Sequence, residues 1–156
     1  MATDLTSLLE GGVIIPSFEA TSRKQAIHAL AETLAEATGL TARVIEDAVM
    51  ERERLGSTGV GEGVAVPHAR LDGLEAPIGG YMRLVQGVDF EAIDERPCDL
   101  IFMLLAPQSS GADHLRALAQ VSRTFRQSAI RDALRDAVTV EDVQSIVCRE
   151  AMEQSA

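Results

Sequence analysis

His68 lies near the end of the stretch of this chain with the densest supply of reactive side chains: Arg52-Glu53-Arg54-Leu55-Gly56-Ser57-Thr58-Gly59-Val60-Gly61-Glu62-Gly63-Val64-Ala65-Val66-Pro67-His68-Ala69-Arg70. An imidazole, with a pKa of about 6.5, is neutral and nucleophilic near physiological pH. Four glycines within the eight residues Gly56 to Gly63 make a loop whose backbone can adopt positive φ and approach an anion. Pro67 stiffens the step into the histidine. Arg52, Arg54 and Arg70 are placed to receive phosphate oxygens, which a guanidinium can hold through two parallel donors. The hydroxyls of Ser57 and Thr58 are further candidates to hydrogen-bond such a group, although residues of this type also cap and shape turns.

Other chemistries fit poorly. A phosphate-binding P-loop requires Gly-Lys followed by Ser or Thr, and here Glu62-Gly63 follows Gly61 with no lysine. A dinucleotide-binding turn runs from strand to helix, whereas this loop runs from helix to strand and lacks the glycine spacing. The three histidines, His28, His68 and His114, show no metal-ligand spacing, so a metal-dependent hydrolase is disfavoured and no metal or cofactor is expected.

The elements that must position these residues follow from periodicity. Val13-Ile14-Ile15, ending at Pro16, suits a strand or its edge. A helix capped by Thr21 or Ser22 carries Ile27, Leu30, Ala31 and Leu34 at helical spacing and ends near Gly39. His28 lies off that face and reads as a solvated helix histidine. A second helix starts at the Thr41 cap and stops before Gly56, with Glu51-Arg52-Glu53-Arg54 as its last turn. Val64 to His68 is β-prone, and its proline implies an edge or a strand end. Ile78 to Leu84 and the nearly all-apolar Cys98 to Leu105 read as strands, the latter central and covered on both faces. Helices follow at Asp113 to Arg126, with Leu115, Leu118, Ala119, Ser122 and Phe125 on one face, at Ile130 to Arg135, and after a Thr139 cap. The expected architecture is α/β, a three-layer α/β/α sandwich around a mixed central sheet, with residues 1–156 forming a single domain.

Composition narrows the partners. Asp plus Glu number 24 against 14 Lys plus Arg, a formal charge of −10, and that field repels nucleic acid and acidic membranes. Aromatic residues make up only 3%, so the core must be aliphatic. Cys98 and Cys148 form no CxxC and read as small buried hydrophobes. The N-terminal MATDLTSLLEGG carries no signal-peptide pattern, and no apolar run approaches the roughly 18 residues of a membrane span. A cytoplasmic protein without membrane insertion is expected.

GSTGVGEGVAVPHAR closely resembles the active-site signature of the enzyme IIA proteins of the bacterial phosphotransferase system, in the fructose/mannitol type (type 2) that includes a nitrogen-related regulatory branch. The likeness extends over the opening DLTSLL, FEAIDERPCDLIFMLLAP and the HLRALAQVSR helix. It implies a phosphocarrier that accepts a phosphoryl group from a histidine phosphocarrier protein of the HPr type, on the tele nitrogen of a histidine matching His68. A second family histidine, at the start of a downstream helix, matches His114, and the arginine before the glycine loop matches Arg52. No magnesium is implied, because the donor is a phosphohistidine. The downstream partner is a regulatory target on the nitrogen-related reading, which the GSTGVGEG loop, AIDERPCDL and the stand-alone length favour. It is a separate IIB chain on the alternative reading, a fructose/mannitol-type sugar uptake component. A docking module that has lost transfer is a third reading, against which the presence of His68, His114 and Arg52 speaks.

Overall fold

The computed structural model describes residues 5–109 and 111–155, with side chains as far as Arg149. In chain order the elements are α1 (Leu5–Leu9), β1 (Val13–Phe18), α2 (Arg23–Thr38), α3 (Ala42–Leu55), β2 (Gly59–Gly61), β3 (Val64–Ala65) and β4 (His68–Leu71). They continue with β5 (Ile78–Val88), β6 (Cys98–Pro107), α4 (Gly111–Arg126), α5 (Ser128–Asp136) and α6 (Val140–Ser155).

The sheet runs β1-β5-β6-β3-β2, with β4 also paired to β6. It is mixed: β1 is parallel to β5, β3 and β4 are parallel to β6, and β5 and β2 run antiparallel to their neighbours β6 and β3. Strand β6 shows why it sits at the centre. Its residues alternate between two cores, with Ile101, Met103 and Leu105 packed beneath α2 and α3 and Leu100, Phe102 and Leu104 beneath α1, α4 and α6. A strand buried on both faces reads as a continuous apolar run. The α/β/α sandwich around a mixed sheet is the observed fold.

Local chemistry sets the helix ends. Ser22 Oγ accepts the Gln25 amide, Thr41 Oγ1 the Val44 amide, and Thr139 Oγ1 the Asp142 amide, caps that each stabilise a helix by about 1 kcal/mol. At the end of α2, Gly39 takes φ +80°, the left-handed conformation glycine adopts without penalty.

Four expectations are corrected. Strand β1 does not end at Pro16 but continues to Phe18 through a register shift, tolerable because β1 is an edge and Pro16 owes no ladder hydrogen bond. Part of the glycine-rich loop is a short strand, β2, too brief to show a period. On α4 the buried stripe is His114, Ala117, Gln120, Val121, Thr124 and Phe125, so the helix is rotated from the expected face and Leu115 is 67% exposed. A stripe that includes polar residues is invisible to a reading of apolar spacing. Cys98 is buried, but Cys148 is exposed.

Candidate functional site

Residues 64–71 run alongside β6 in a single register, Val64 opposite Leu100 and His68 opposite Leu104. Between them Pro67 has no amide hydrogen to give, so the ladder breaks and two other bonds hold the gap. The Val66 amide donates to the Thr58 carbonyl at 3.0 Å, and the Leu104 amide donates to the Pro67 carbonyl at 2.9 Å. Strand alternation then sends Ala69 and Leu71 into the core under α2 and α3 and turns His68 and Arg70 to the opposite face.

His68 Nδ1 lies 2.8 Å from the Val66 carbonyl oxygen. A carbonyl only accepts, so Nδ1 carries the proton and the neutral ring keeps its lone pair on Nε2. Burial holds the His68 pKa below the ordinary 6.5; the Val66 hydrogen bond opposes that, and the charge of Arg52 adds to it. One ring nitrogen is thereby committed, and among the described residues Nε2 makes no hydrogen bond.

His114 sits in the first turn of α4, only 8% exposed, with its ring centroid 5.5 Å from that of His68 and the planes inclined at 47°. Its Nδ1 is buried without a hydrogen-bond partner among the described residues. Burial lowers its pKa, and His68 and Arg70 lower it further. Arg52, in the last turn of α3, donates from Nη1 to the Gly56 carbonyl at 2.9 Å. That contact anchors one arm of a five-donor fork.

These groups share an open cleft of about 450 Å³, lined by Arg52, His68, Arg70, Gln108 and His114 with Glu51, Ala48, Leu55 and Ala69. Arg70 Nη1 lies 3.9 Å from the position a Cβ on Gly111 would take, which places the guanidinium beside the start of α4. Two guanidiniums, a helix N-terminus and two neutral imidazoles thus face one space, in a chain whose net charge is −10. The arrangement favours a small multivalent anion over the open Nε2.

Of the residues singled out in the sequence, the structure brings together His68, His114, Arg52 and Arg70. It does not bring Ser57 and Thr58 to the cleft. Ser57 Oγ donates to the Phe90 carbonyl and accepts the Gly59 amide, while Thr58, buried, donates its hydroxyl to Glu53. Arg54 is exposed and stands outside the lining. His28, with a side chain 52% exposed, bridges Glu46 at 2.6 Å and Glu32 at 3.0 Å and is not among the residues lining the cleft. Its hydrogen bond to Glu46 is the main cause of its raised pKa. Gln108 was not found from the sequence, since a single amide after a strand carries no motif. The Cys98 thiol is pushed up to about 12 by burial and is structural. Among the described residues, no group of three or more His, Cys, Asp or Glu side chains is placed to hold a metal ion.

The sequence matches the family described as "Phosphoenolpyruvate-dependent sugar phosphotransferase system, EIIA 2" across residues 7–149, and the chain belongs to it. Within that family its likeness runs to the nitrogen-regulatory branch. The Nitrogen regulatory protein of Bradyrhizobium diazoefficiens is 41% identical over 143 residues, 92% of this chain and 94% of that protein. The Nitrogen regulatory protein of Pseudomonas aeruginosa is 37% identical over 144 residues, again 92% of this chain and 94% of that protein. Among solved structures, Nitrogen Regulatory Protein IIA-Ntr from Neisseria meningitidis superimposes with a TM-score of 0.84 at 31% identity, covering 92% of this chain and 98% of that one. The family implies phosphotransfer through histidine, a transferase role. No helix among the described residues is long and apolar enough to cross a membrane.

Proposed function

We propose that the protein accepts a phosphoryl group on Nε2 of His68 from an HPr-type histidine phosphocarrier and passes on a nitrogen-related regulatory signal, with residues 1–156 acting as one cytoplasmic IIA domain. The observation that carries this reading is the Nδ1 contact with the Val66 carbonyl, which leaves Nε2 as the free nucleophile. The Nε2 lone pair forms the new N–P bond as the carrier's N–P bond breaks, and that bond's electron pair returns to the carrier's imidazole. No proton needs to move. The phosphorylated ring keeps its Nδ1 hydrogen, and the Val66 carbonyl oxygen faces the positive charge that develops on it.

The transferring group carries its charge on equatorial oxygens, so positioning and positive donors supply most of the catalysis. Arg52 and His114 are the donors in this reading, with Arg70 at the cleft wall. A role for Ser57 or Thr58 on the phosphoryl group is not retained, because both hydroxyls are occupied elsewhere. The family's description as a sugar system supports a second reading, transfer onward to a separate IIB chain in sugar uptake.

Incubation with phosphoenolpyruvate, enzyme I and an HPr-type carrier tests the assignment. The wild-type chain is expected to take up one acid-labile phosphate and His68→Ala none. Undiminished uptake by His68→Ala would overturn it.

A further inference from the structure

Glu53 follows Arg52 in the last turn of α3, and the helical step sends the two side chains to different places. Arg52 reaches the cleft, whereas the Glu53 side chain is 1% exposed. A carboxyl group in that position needs partners, because burying an unpaired charge is costly. It has two. Arg23, in the first turn of α2, donates from Nη1 to Oε2 at 3.2 Å, and the buried Thr58 hydroxyl donates to Oε1.

A well-packed apolar pair would fill the same space without the desolvation penalty. What the polar pair adds is direction, because it fixes how Thr58 is turned. Ser57 pins the neighbouring residue, donating to the Phe90 carbonyl and accepting the Gly59 amide. Thr58 is therefore held on both sides, and its own carbonyl is aimed at the Val66 amide, 3.0 Å away.

That amide lies at the one break in the strand. Strand β3 ends at Ala65, β4 begins at His68, and Pro67 can give no hydrogen. Within the gap, Val66 is tied on one side to Thr58, and Pro67 on the other to Leu104. The direction of the Val66 carbonyl follows from those two ties, and that carbonyl takes the Nδ1 hydrogen of His68 at 2.8 Å. The contacts run without interruption from Glu53 to Thr58, from Thr58 to Val66 and from Val66 to His68.

We propose that Glu53, acting through Thr58, is a positioning residue for phosphotransfer: this buried pair orients the Val66 carbonyl and so keeps the His68 proton on Nδ1 and Nε2 bare. The inference rests on the assignment of His68 Nε2 as the phosphoryl acceptor. It goes beyond that assignment by placing control of the tautomer in residues that touch neither the imidazole nor the phosphoryl group. The last turn of α3 then does two jobs, with Arg52 presenting donors to the cleft and Glu53 setting the nucleophile from behind.

The test uses the full chain labelled with ¹⁵N-histidine, unphosphorylated, at a pH where the ring is neutral. Long-range ¹⁵N–¹H correlation spectra report which His68 nitrogen bears the proton. The wild type is expected to show the Nδ1–H form as dominant. Thr58→Val and Glu53→Met, which each remove the hydroxyl–carboxylate contact, are expected to shift the tautomer ratio toward Nε2–H by about fivefold or more. Both should slow single-turnover phosphorylation at saturating carrier in proportion to the Nδ1–H population they remove, while the half-saturating carrier concentration stays put. Thr58→Ser, which keeps the hydroxyl, should restore both readouts. A pair that only stabilises the fold would lower the melting temperature and leave the tautomer ratio at its wild-type value, and that result overturns the proposal. If Thr58→Val does not fold, Glu53→Met, which fills similar space without an acceptor, decides by the same criterion. Because the tautomer is read without any carrier, a chain that took no phosphate would overturn the acceptor assignment alone and leave the tautomer result standing.

Discussion

His68 has its Nδ1 held by the Val66 carbonyl, and Arg52, Arg70, Gln108 and His114 line the same cleft as its ring. On the proposed reading, Arg52 contributes through geometry as much as charge. With Nη1 on the Gly56 carbonyl, its remaining donors can meet phosphoryl oxygens in parallel, which a lysine ammonium cannot reproduce. Arg52→Lys is expected to slow transfer from the phosphorylated carrier at least about tenfold, roughly 1.4 kcal/mol of transition-state stabilisation. In the same single-turnover assay, His114→Ala should lower the maximal rate and leave the half-saturating carrier concentration nearly unchanged, because its support is used only during transfer. Maximal rates equal to wild type would remove the corresponding residue from the site. Residue types and spacing made His68, Arg52 and Arg70 legible, since glycine loop, proline, histidine and arginine stand within one short stretch. His114 was legible only by family resemblance, because nothing in its local sequence shows that α4 brings it to 5.5 Å from His68. Ser57 and Thr58 show the converse: their hydroxyls are near the site in sequence, but sequence does not say which way a side chain turns.

The β2–β3 turn is where the elements meet. Gly63 has φ +80°, and a Cβ there would lie 2.5 Å from Arg135 Nη2 and 2.8 Å from Asp99 Oδ1. Its carbonyl accepts the amides of Asp99 and Leu100 and so docks β3 onto β6, while Arg135 grips Asp99 through two donors and reaches the Glu62 carbonyl. Gly63→Ala combines backbone strain with a clash against an ion pair, and it should destabilise the fold by about 1–3 kcal/mol. At roughly 2–4 °C per kcal/mol for a chain of this size, that is a clear shift in thermal melting. A melting temperature equal to wild type would show that the turn relaxes freely. The longer elements could be read from the sequence because caps and apolar periods mark them: α2 from Ser22 to Gly39, α3 from Thr41, and β6 as a continuous apolar run. Two short elements, α1 and β2, escaped because five and three residues are too few for a period to show. The phase of α4 escaped because it buries His114, Gln120 and Thr124 where an apolar pattern expects leucine.

Across the whole molecule, one sheet with a core on each face serves to bring two helix ends to one edge. The last turn of α3 comes from one layer and the first turn of α4 from the other, and β4 lies between them with His68 at its start. A chain with formal charge −10 thereby gathers Arg52, Arg70 and a helix N-terminus around a single cleft. The layer order was legible because β6 needs cover on both faces. The meeting of α3 and α4 across β4 was not, since it depends on the parallel pairing of β4 with β6, which no local pattern encodes. On the proposed reading this scaffold directs phosphate to one atom, Nε2 of His68, by occupying the other ring nitrogen. The most direct measurement is ³¹P and ¹⁵N NMR of the ¹⁵N-histidine-labelled chain after phosphorylation by an HPr-type carrier. A single phosphohistidine is expected, at His68, with phosphorus bonded to Nε2 and hydrogen still on Nδ1. Phosphorus on Nδ1 of His68, or on His114 or His28, would contradict it.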